Sequence, residues 1–127
     1  MPQHTHRVLI VEDDYAFRWS LAMRCQRRHI DADVAESLPE AHDLVRKPAD
    51  YCGIALDLRL GHGDGTSLLD TIAERATTPT VVIVTAYPDE WKRMAAADPK
   101  KAALVSATII KPADVDAVID ATICYRS

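Results

Sequence analysis

Glu12, Asp13, Asp57, Thr85 and Lys111 each stand just beyond a short apolar run of this 127-residue chain. Glu12-Asp13-Asp14 follow Arg7-Val8-Leu9-Ile10-Val11, and Asp57 closes Gly53-Ile54-Ala55-Leu56. Thr85 follows Thr80–Val84, and Lys111 follows Ala107-Thr108-Ile109-Ile110. If the runs are neighbouring strands, three acids converge in one crevice, where they cannot all ionise comfortably without a cation. Oxygen-only ligands with room for water favour a hard divalent ion, and Mg²⁺ is the usual one where phosphate chemistry follows. Lys111 adds a compact positive charge and Thr85 a hydroxyl donor. Metal, lysine and hydroxyl around one carboxylate would stabilise an incoming phosphoryl group, and that carboxylate could attack it as a nucleophile. Taken singly, each residue has a plainer role: an acid after a strand caps a helix, Thr85 ends a strand, and Lys111-Pro112 enters a helix. The set carries the reading.

The elements that would position these residues follow from hydrophobic pattern. The first, third and fourth apolar runs are continuous rather than alternating, as in strands of a parallel sheet buried on both faces. The run Ala32-Asp33-Val34-Ala35 is shorter and more polar, which places it at an edge; Ala107–Ile110 is the fifth. Between them lie amphipathic stretches. Phe17, Leu21 and Cys25 repeat at helical spacing, Ser37 and Glu40 form a capping box before Ala41, Leu44 and Val45, and Leu68, Leu69 and Ile72 follow a glycine-rich turn. Pro99 should end or kink the helix that follows Thr85. A last helix from Pro112 carries Val115, Val118, Ile119 and Ile123 on one stripe. Strand alternating with helix five times predicts an α/β fold, a flavodoxin-like (βα)5 doubly wound parallel sheet with strand order 2-1-3-4-5. Ligands of such sheets bind outside the carboxyl ends of the strands, where the acids lie.

Composition narrows the function classes. The chain is 48% hydrophobic and 27% charged with a net charge of −4, which disfavours direct nucleic-acid binding through bulk electrostatics. No apolar run is long enough for a membrane span. Cys25, Cys52 and Cys124 are odd in number and far apart, fitting neither a disulfide framework nor a zinc site, as expected of a cytoplasmic protein.

At these residues the chain resembles a response regulator receiver domain of two-component signalling, over essentially its whole length. Val8–Asp14 is similar to the family's first strand and acidic pair, which implies Glu12 and Asp13 as Mg²⁺ ligands and leaves Asp14 to cap the first helix. Leu56-Asp57-Leu58-Arg59-Leu60-Gly61-His62-Gly63-Asp64-Gly65 is similar to the segment holding the phosphorylated aspartate. That implies Asp57 as acceptor and metal ligand, with the backbone carbonyl of Arg59 completing the metal site. Val84-Thr85-Ala86 resembles the switch-threonine segment, and Ile110-Lys111-Pro112 the lysine–proline pair with its cis peptide bond. The resemblance implies one receiver domain over residues 1–127, a phosphoacceptor switch rather than a metabolic enzyme. Its partners would be a sensor histidine kinase or histidine phosphotransfer protein and a downstream protein, with neither membrane nor nucleic acid bound directly. It also allows a homodimer through the fourth helix, fifth strand and fifth helix.

The chain departs from the family pattern in the readout region. Thr108 stands where a Tyr or Phe usually precedes the lysine by three, and Leu104-Val105 replace the usual glycine–alanine pair. The stretch around Pro99 is longer than typical, and Gly61 replaces a common proline. Tyr87, two residues after Thr85, is a candidate substitute aromatic gate. Arg59 and Tyr87 flank the water path to Asp57 and should set the lifetime of a phosphoryl group there. His62 is most simply a solvated loop residue and Cys52 a packing residue; Trp19 is expected partly buried, and Trp91 either packed or on a partner surface. Arg24, Arg27 and Arg28 read as a charged solvent face. Three rivals remain: a receiver-like scaffold that does not switch, a phosphatase, and a flavodoxin. Arg59, where a phosphatase would need a second acid, counts against the second. Acids at the end of the first strand, where a flavin phosphate would need donors, count against the third.

Overall fold

In the computed structural model of the chain, which describes residues 6–47, 51–60 and 63–123, every apolar run becomes a strand. The strands are β1 (Arg7–Val11), β2 (Asp31–Ala35), β3 (Gly53–Leu56), the two-residue β4 (Arg59–Leu60) and β5 (Gly63–Asp64), β6 (Thr80–Thr85) and β7 (Ala107–Ile110). The helices are α1 (Tyr15–Arg27), α2 (Leu38–Arg46), α3 (Ser67–Ala73), α4 (Pro88–Ala97), α5 (Pro99–Ala102) and α6 (Val115–Ile123). Five strands form one parallel sheet in the order β2-β1-β3-β6-β7, the 2-1-3-4-5 arrangement expected once the small antiparallel β4–β5 pair is set aside. Gly61, His62 and Cys124 lie outside the described residues.

Residue alternation along the central strands divides the interior into two layers. Leu9, Val11, Ile54, Leu56, Val81 and Ile83 face α2 and α3, where Ala41, Val45, Leu68, Leu69 and Ile72 close over them. Val8, Ile10, Ala55, Val82 and Val84 face α1 and α6 and meet Leu21, Cys25, Val118, Ile119 and Ile123. Burying a Leu, Ile or Val contributes about 1.5–3 kcal/mol, against roughly 0–1 kcal/mol for an exposed ion pair. The central strands therefore fix the fold, and the surface charges adjust it.

Local signals explain the helix ends. Asp14 caps α1 by accepting the Phe17 N–H at 3.2 Å, and Ser37 caps α2 by accepting the Glu40 N–H at 3.4 Å. Pro99 does break the fourth helix: α4 stops at Ala97, and Asp98 caps the short α5 through the Lys101 N–H. The last helix starts later than its proline suggests. Asp114 accepts the Ala117 N–H at 3.0 Å and so supplies the cap, leaving Pro112 in the preceding loop, joined to Lys111 by a cis peptide bond.

Two surface expectations also change. Trp19 is 55% exposed rather than partly buried, because it lies two residues from both Phe17 and Leu21 and so falls opposite their stripe. Arg24 and Arg28 are not free solvent charges. Arg24 pairs with Asp116, and Arg28 reaches Asp116 at 3.4 Å and Asp120 at 2.7 Å, joining α1 to α6. Trp91, in contrast, packs against the layer under α2 and α3.

Gly53 is required by close approach. A Cβ at this position of β3 would lie 1.8 Å from the backbone carbonyl oxygen of Thr122 on α6. Backbone cannot yield as a flexible side-chain tip can, so Gly53→Ala should force α6 off the sheet. The expected cost is about 1–3 kcal/mol or more in overpacking. Urea unfolding of the variant beside the parent checks this, and an unchanged midpoint would refute it.

Candidate functional site

The parallel ladder brings the chemical residues together before any side chain acts. Val11 pairs with Leu56, so Glu12 and Asp57 emerge at adjacent strand ends. Their backbones are fixed there: the Asp57 N–H donates to the Val11 carbonyl at 2.9 Å, and the Glu12 N–H to the Ala35 carbonyl at 3.0 Å. On the other side Thr85 pairs with Ile110, and the Lys111 N–H donates to the Thr85 carbonyl at 2.8 Å. All these residues thus open at the carboxyl edge of the sheet, where strand order reverses.

Lys111 joins the cluster electrostatically. Its Nζ lies 2.5 Å from Glu12 Oε1 and 3.0 Å from Asp57 Oδ2, with the Phe17 ring centre 5.3 Å away. Glu12 and Asp57 are buried, whereas Asp13 is exposed at the rim. Two buried carboxylates share one ammonium, so their charge is only half compensated. Burial and the neighbouring Asp57 push Glu12 up to about 8, against the pull of Lys111. Burial opposes the Lys111 charge, but its bonds to Glu12 and Asp57 prevail and raise its pKa. Lys111 therefore stays charged, and Glu12, the deeper acid, carries the uncompensated repulsion.

Carboxylate oxygens of Glu12, Asp13 and Asp57 lie within 4.8 Å of one another, an arrangement that could hold a divalent metal. Hard oxygen donors and excess negative charge fit such an ion. The loop after Asp57 is compatible with a further ligand. The Gly65 N–H donates to the Leu58 carbonyl at 2.8 Å, which makes Arg59 and Asp64 a non-hydrogen-bonded pair in the β4–β5 ladder. The ladder therefore does not consume the Arg59 carbonyl. The Arg59 N–H points inward, donating to Asp57 Oδ1 at 3.2 Å. Gly65 permits this close loop, because a Cβ there would lie 2.6 Å from the Asp57 carbonyl oxygen.

Thr85 is fully buried at the end of β6, and its Oγ1 accepts the Tyr87 N–H at 2.9 Å. Tyr87 is 45% exposed, and its ring lies 3.6 Å from the Arg59 guanidinium. Arg59 also pairs with Glu90 on α4, with Nε 3.2 Å from Oε2. Thr108 is exposed on β7, as is Ile110, so the position of the family's aromatic carries no ring.

Sequence reasoning missed two contributors. Arg18 on α1 donates to the backbone carbonyls of Glu12 at 3.0 Å and Asp13 at 3.4 Å, and pairs with Glu36, clamping the acidic loop. Its position one turn after Asp14 was the available signal. Glu90 was legible only as an acid in the first turn of α4, favourable to that helix's dipole.

The model of the response regulator receiver domain matches residues 8–122, and the chain belongs to that family. It is 33% identical over 117 residues to the acid tolerance regulatory protein ActR of Sinorhizobium medicae, covering 91% of this chain and 57% of that protein. It is 30% identical over 117 residues to the photosynthetic apparatus regulatory protein RegA of Cereibacter sphaeroides, covering 90% and 59%. The chain thus spans somewhat over half the length of these relatives. Among solved structures, the non-phosphorylated HemR receiver domain from Leptospira biflexa superposes with a TM-score of 0.76 at 24% identity, covering 92% of this chain and 90% of that one. A response regulator from Burkholderia pseudomallei, solved with a phosphorylated aspartic acid, a calcium ion and citrate, gives 0.73 at 23% identity, covering 92% and 66%. Among the described residues no helix is long and apolar enough to cross a membrane.

The half-compensated acid pair has a measurable consequence. Between its ordinary value of 4.5 and about 8, folded Glu12 keeps a proton that the unfolded chain has released. This group's contribution to stability therefore falls as pH rises through that window. Glu12→Gln should flatten the decline in metal-free protein and raise stability at pH 8. If the cluster holds a divalent ion such as Mg²⁺, the substitution should also reduce the stabilisation that ion gives, expected for the parent to be about 1.4 kcal/mol at ten times the dissociation constant. Urea titrations between pH 5 and 8, in chelator and in Mg²⁺, would show both effects; parallel curves for the two proteins would contradict the assignment.

Proposed function

We propose that this receiver domain accepts a phosphoryl group on Asp57 in a Mg²⁺-dependent reaction and switches a downstream protein. The observation that carries the reading is Lys111 bridging Glu12 and Asp57 within an acid cluster of metal-binding size. A side-chain oxygen of Asp57 attacks the phosphorus and forms the new P–O bond. The bond to the donor breaks, its electron pair leaving on the imidazole nitrogen of a phosphohistidine or the oxygen of an acyl phosphate. Lys111, already beside Asp57 Oδ2, balances the added charge, and the Thr85 hydroxyl binds a phosphoryl oxygen. Glu12, Asp13, Asp57 and the Arg59 carbonyl would hold Mg²⁺, which when bound neutralises charge developing on the phosphoryl oxygens.

The natural donor on this reading is a sensor histidine kinase or histidine phosphotransfer protein, and the setting is cytoplasmic. The domain promotes its own phosphorylation and dephosphorylation but turns over no metabolite. The exposure of Thr108 favours one second reading, a scaffold whose surface does not respond to phosphorylation. Its mark would be an α4 whose Trp91 environment is the same before and after modification.

Incubation with acetyl phosphate and Mg²⁺ followed by intact-mass measurement should give one phosphoryl adduct. The adduct should be absent in chelator and in Asp57→Asn; an adduct indifferent to Asp57 would overturn the assignment. Thr85→Ala and Lys111→Met should slow its formation by about 10-fold or more, the scale of removing a positioned donor or cation. Substituting Arg59 or Tyr87 should leave formation possible and change the rate at which the adduct hydrolyses.

A further inference from the structure

The Arg59 side chain has no assigned part in phosphoryl binding, yet its position links the acceptor loop to α4. Its backbone lies two residues beyond Asp57, with the N–H on Asp57 Oδ1. Its guanidinium lies over the ring of Tyr87, whose own N–H is fixed on Thr85, and ends on the Glu90 carboxylate. One cation thus spans the mouth of the site from the acceptor loop to the first turn of α4. Arg93 and Asp64 also act on Glu90 and Asp57 on Arg59, and Asp64 is the cross-strand partner of Arg59 in the β4–β5 ladder.

We propose that the Arg59 guanidinium is shared between two anions: Glu90 while Asp57 is unmodified, and the phosphoryl group once Asp57 carries it. This inference rests on the phosphoacceptor reading above. The Arg59–Glu90 pair is exposed, so water and salt screen it and little holds it closed. A phosphoryl group brings a charge of about −1.5 to −2 and three acceptor oxygens, which match the planar fork of Arg better than one carboxylate does. Tyr87 provides the pivot, because stacking on the ring is compatible with the guanidinium turning toward either anion. The helix that would be released is held lightly: none of the ten residues of α4 is buried, and it rests on the core through half-buried Trp91 and Met94. Phosphoryl binding and release of the start of α4 are then one event, and Glu90 is an internal competitor of the phosphoryl group.

Competition makes a prediction that general electrostatics does not. Beryllium fluoride, a non-transferable phosphoryl mimic, would be titrated at fixed Mg²⁺ into the Trp19→Phe protein, with Trp91 fluorescence and ¹⁹F resonances as readouts. Glu90→Gln should tighten binding by roughly threefold and Arg59→Gln weaken it by roughly tenfold, the scale of a charge-assisted contact in an exposed setting. The double variant should behave as Arg59→Gln alone, since without the guanidinium Glu90 has nothing to compete for. Glu90→Gln should also move Trp91 emission toward its saturated value before any ligand is added. An equal effect of Glu90→Gln with and without Arg59, or no effect of either substitution, would overturn the shared-cation assignment while leaving the receiver reading intact. A parent protein that binds no beryllium fluoride would instead overturn the phosphoacceptor reading, and this inference with it.

Discussion

Two carboxylates buried at the ends of neighbouring strands need a cation between them, and the Lys111 ammonium supplies it. Removing one partner of a buried ion pair typically costs about 3–5 kcal/mol, a large part of a small domain's total stability of about 5–15 kcal/mol. The sheet therefore tolerates Glu12 and Asp57 side by side because β7 ends where its next residue can reach both, and because Glu12 keeps its proton well above the usual carboxylate range. The register of β7 on β6 that allows this also sets the Lys111 N–H on the Thr85 carbonyl. One cation between two acids is also an incomplete solution. Glu12 answers it by holding a proton, and a divalent ion that displaced this proton would complete the compensation.

The molecule divides into a rigid part that holds this charge arrangement and a lighter part that can respond to it. The central strands are buried on both faces, and their ladder bonds place Glu12, Asp57 and Thr85 independently of side-chain packing at the rim. The Arg18 clamp extends that rigidity to the acidic loop. Across the sheet edge, α4 and the short α5 contribute no buried residue, and β7 exposes alternate side chains there. Elements with little buried apolar surface open at low free-energy cost. A change of charge at Asp57 thus finds its most compliant neighbour in α4, reached through the β6–α4 turn and Tyr87.

Much of this was legible in the sequence, for identifiable reasons. Continuous apolar runs have one stable placement in an alternating strand–helix chain, so the five sheet strands and their order followed from pattern. Residues just beyond such runs must gather at one sheet edge, so Glu12, Asp13, Asp57, Thr85 and Lys111 were legible as a set. What escaped were features set by tertiary placement. The β4–β5 pair has two residues per strand and no periodicity to read. The start of α6 turned on which of two nearby residues capped it, and Asp114 won over Pro112 because it satisfies a backbone donor. Arg59 and Glu90 are surface residues 31 positions apart, and nothing in their local sequence says that they meet.

Thr108 separates this chain from the family pattern in kind as well as in detail. A switch in which a ring swings inward works by volume: a cavity opens beneath the threonine and an aromatic fills it. Threonine at 108 has too little volume for that exchange and no π-face, and it sits exposed on β7. The aromatic next to Thr85 is instead Tyr87, whose face is already occupied by a guanidinium rather than by apolar neighbours. A ring paired with a cation is suited to respond to charge, because moving the cation requires only an alternative anion and no repacking of the core. The substitution at 108 and the stacking at Tyr87 therefore point the same way, to coupling through the redistribution of one positive charge.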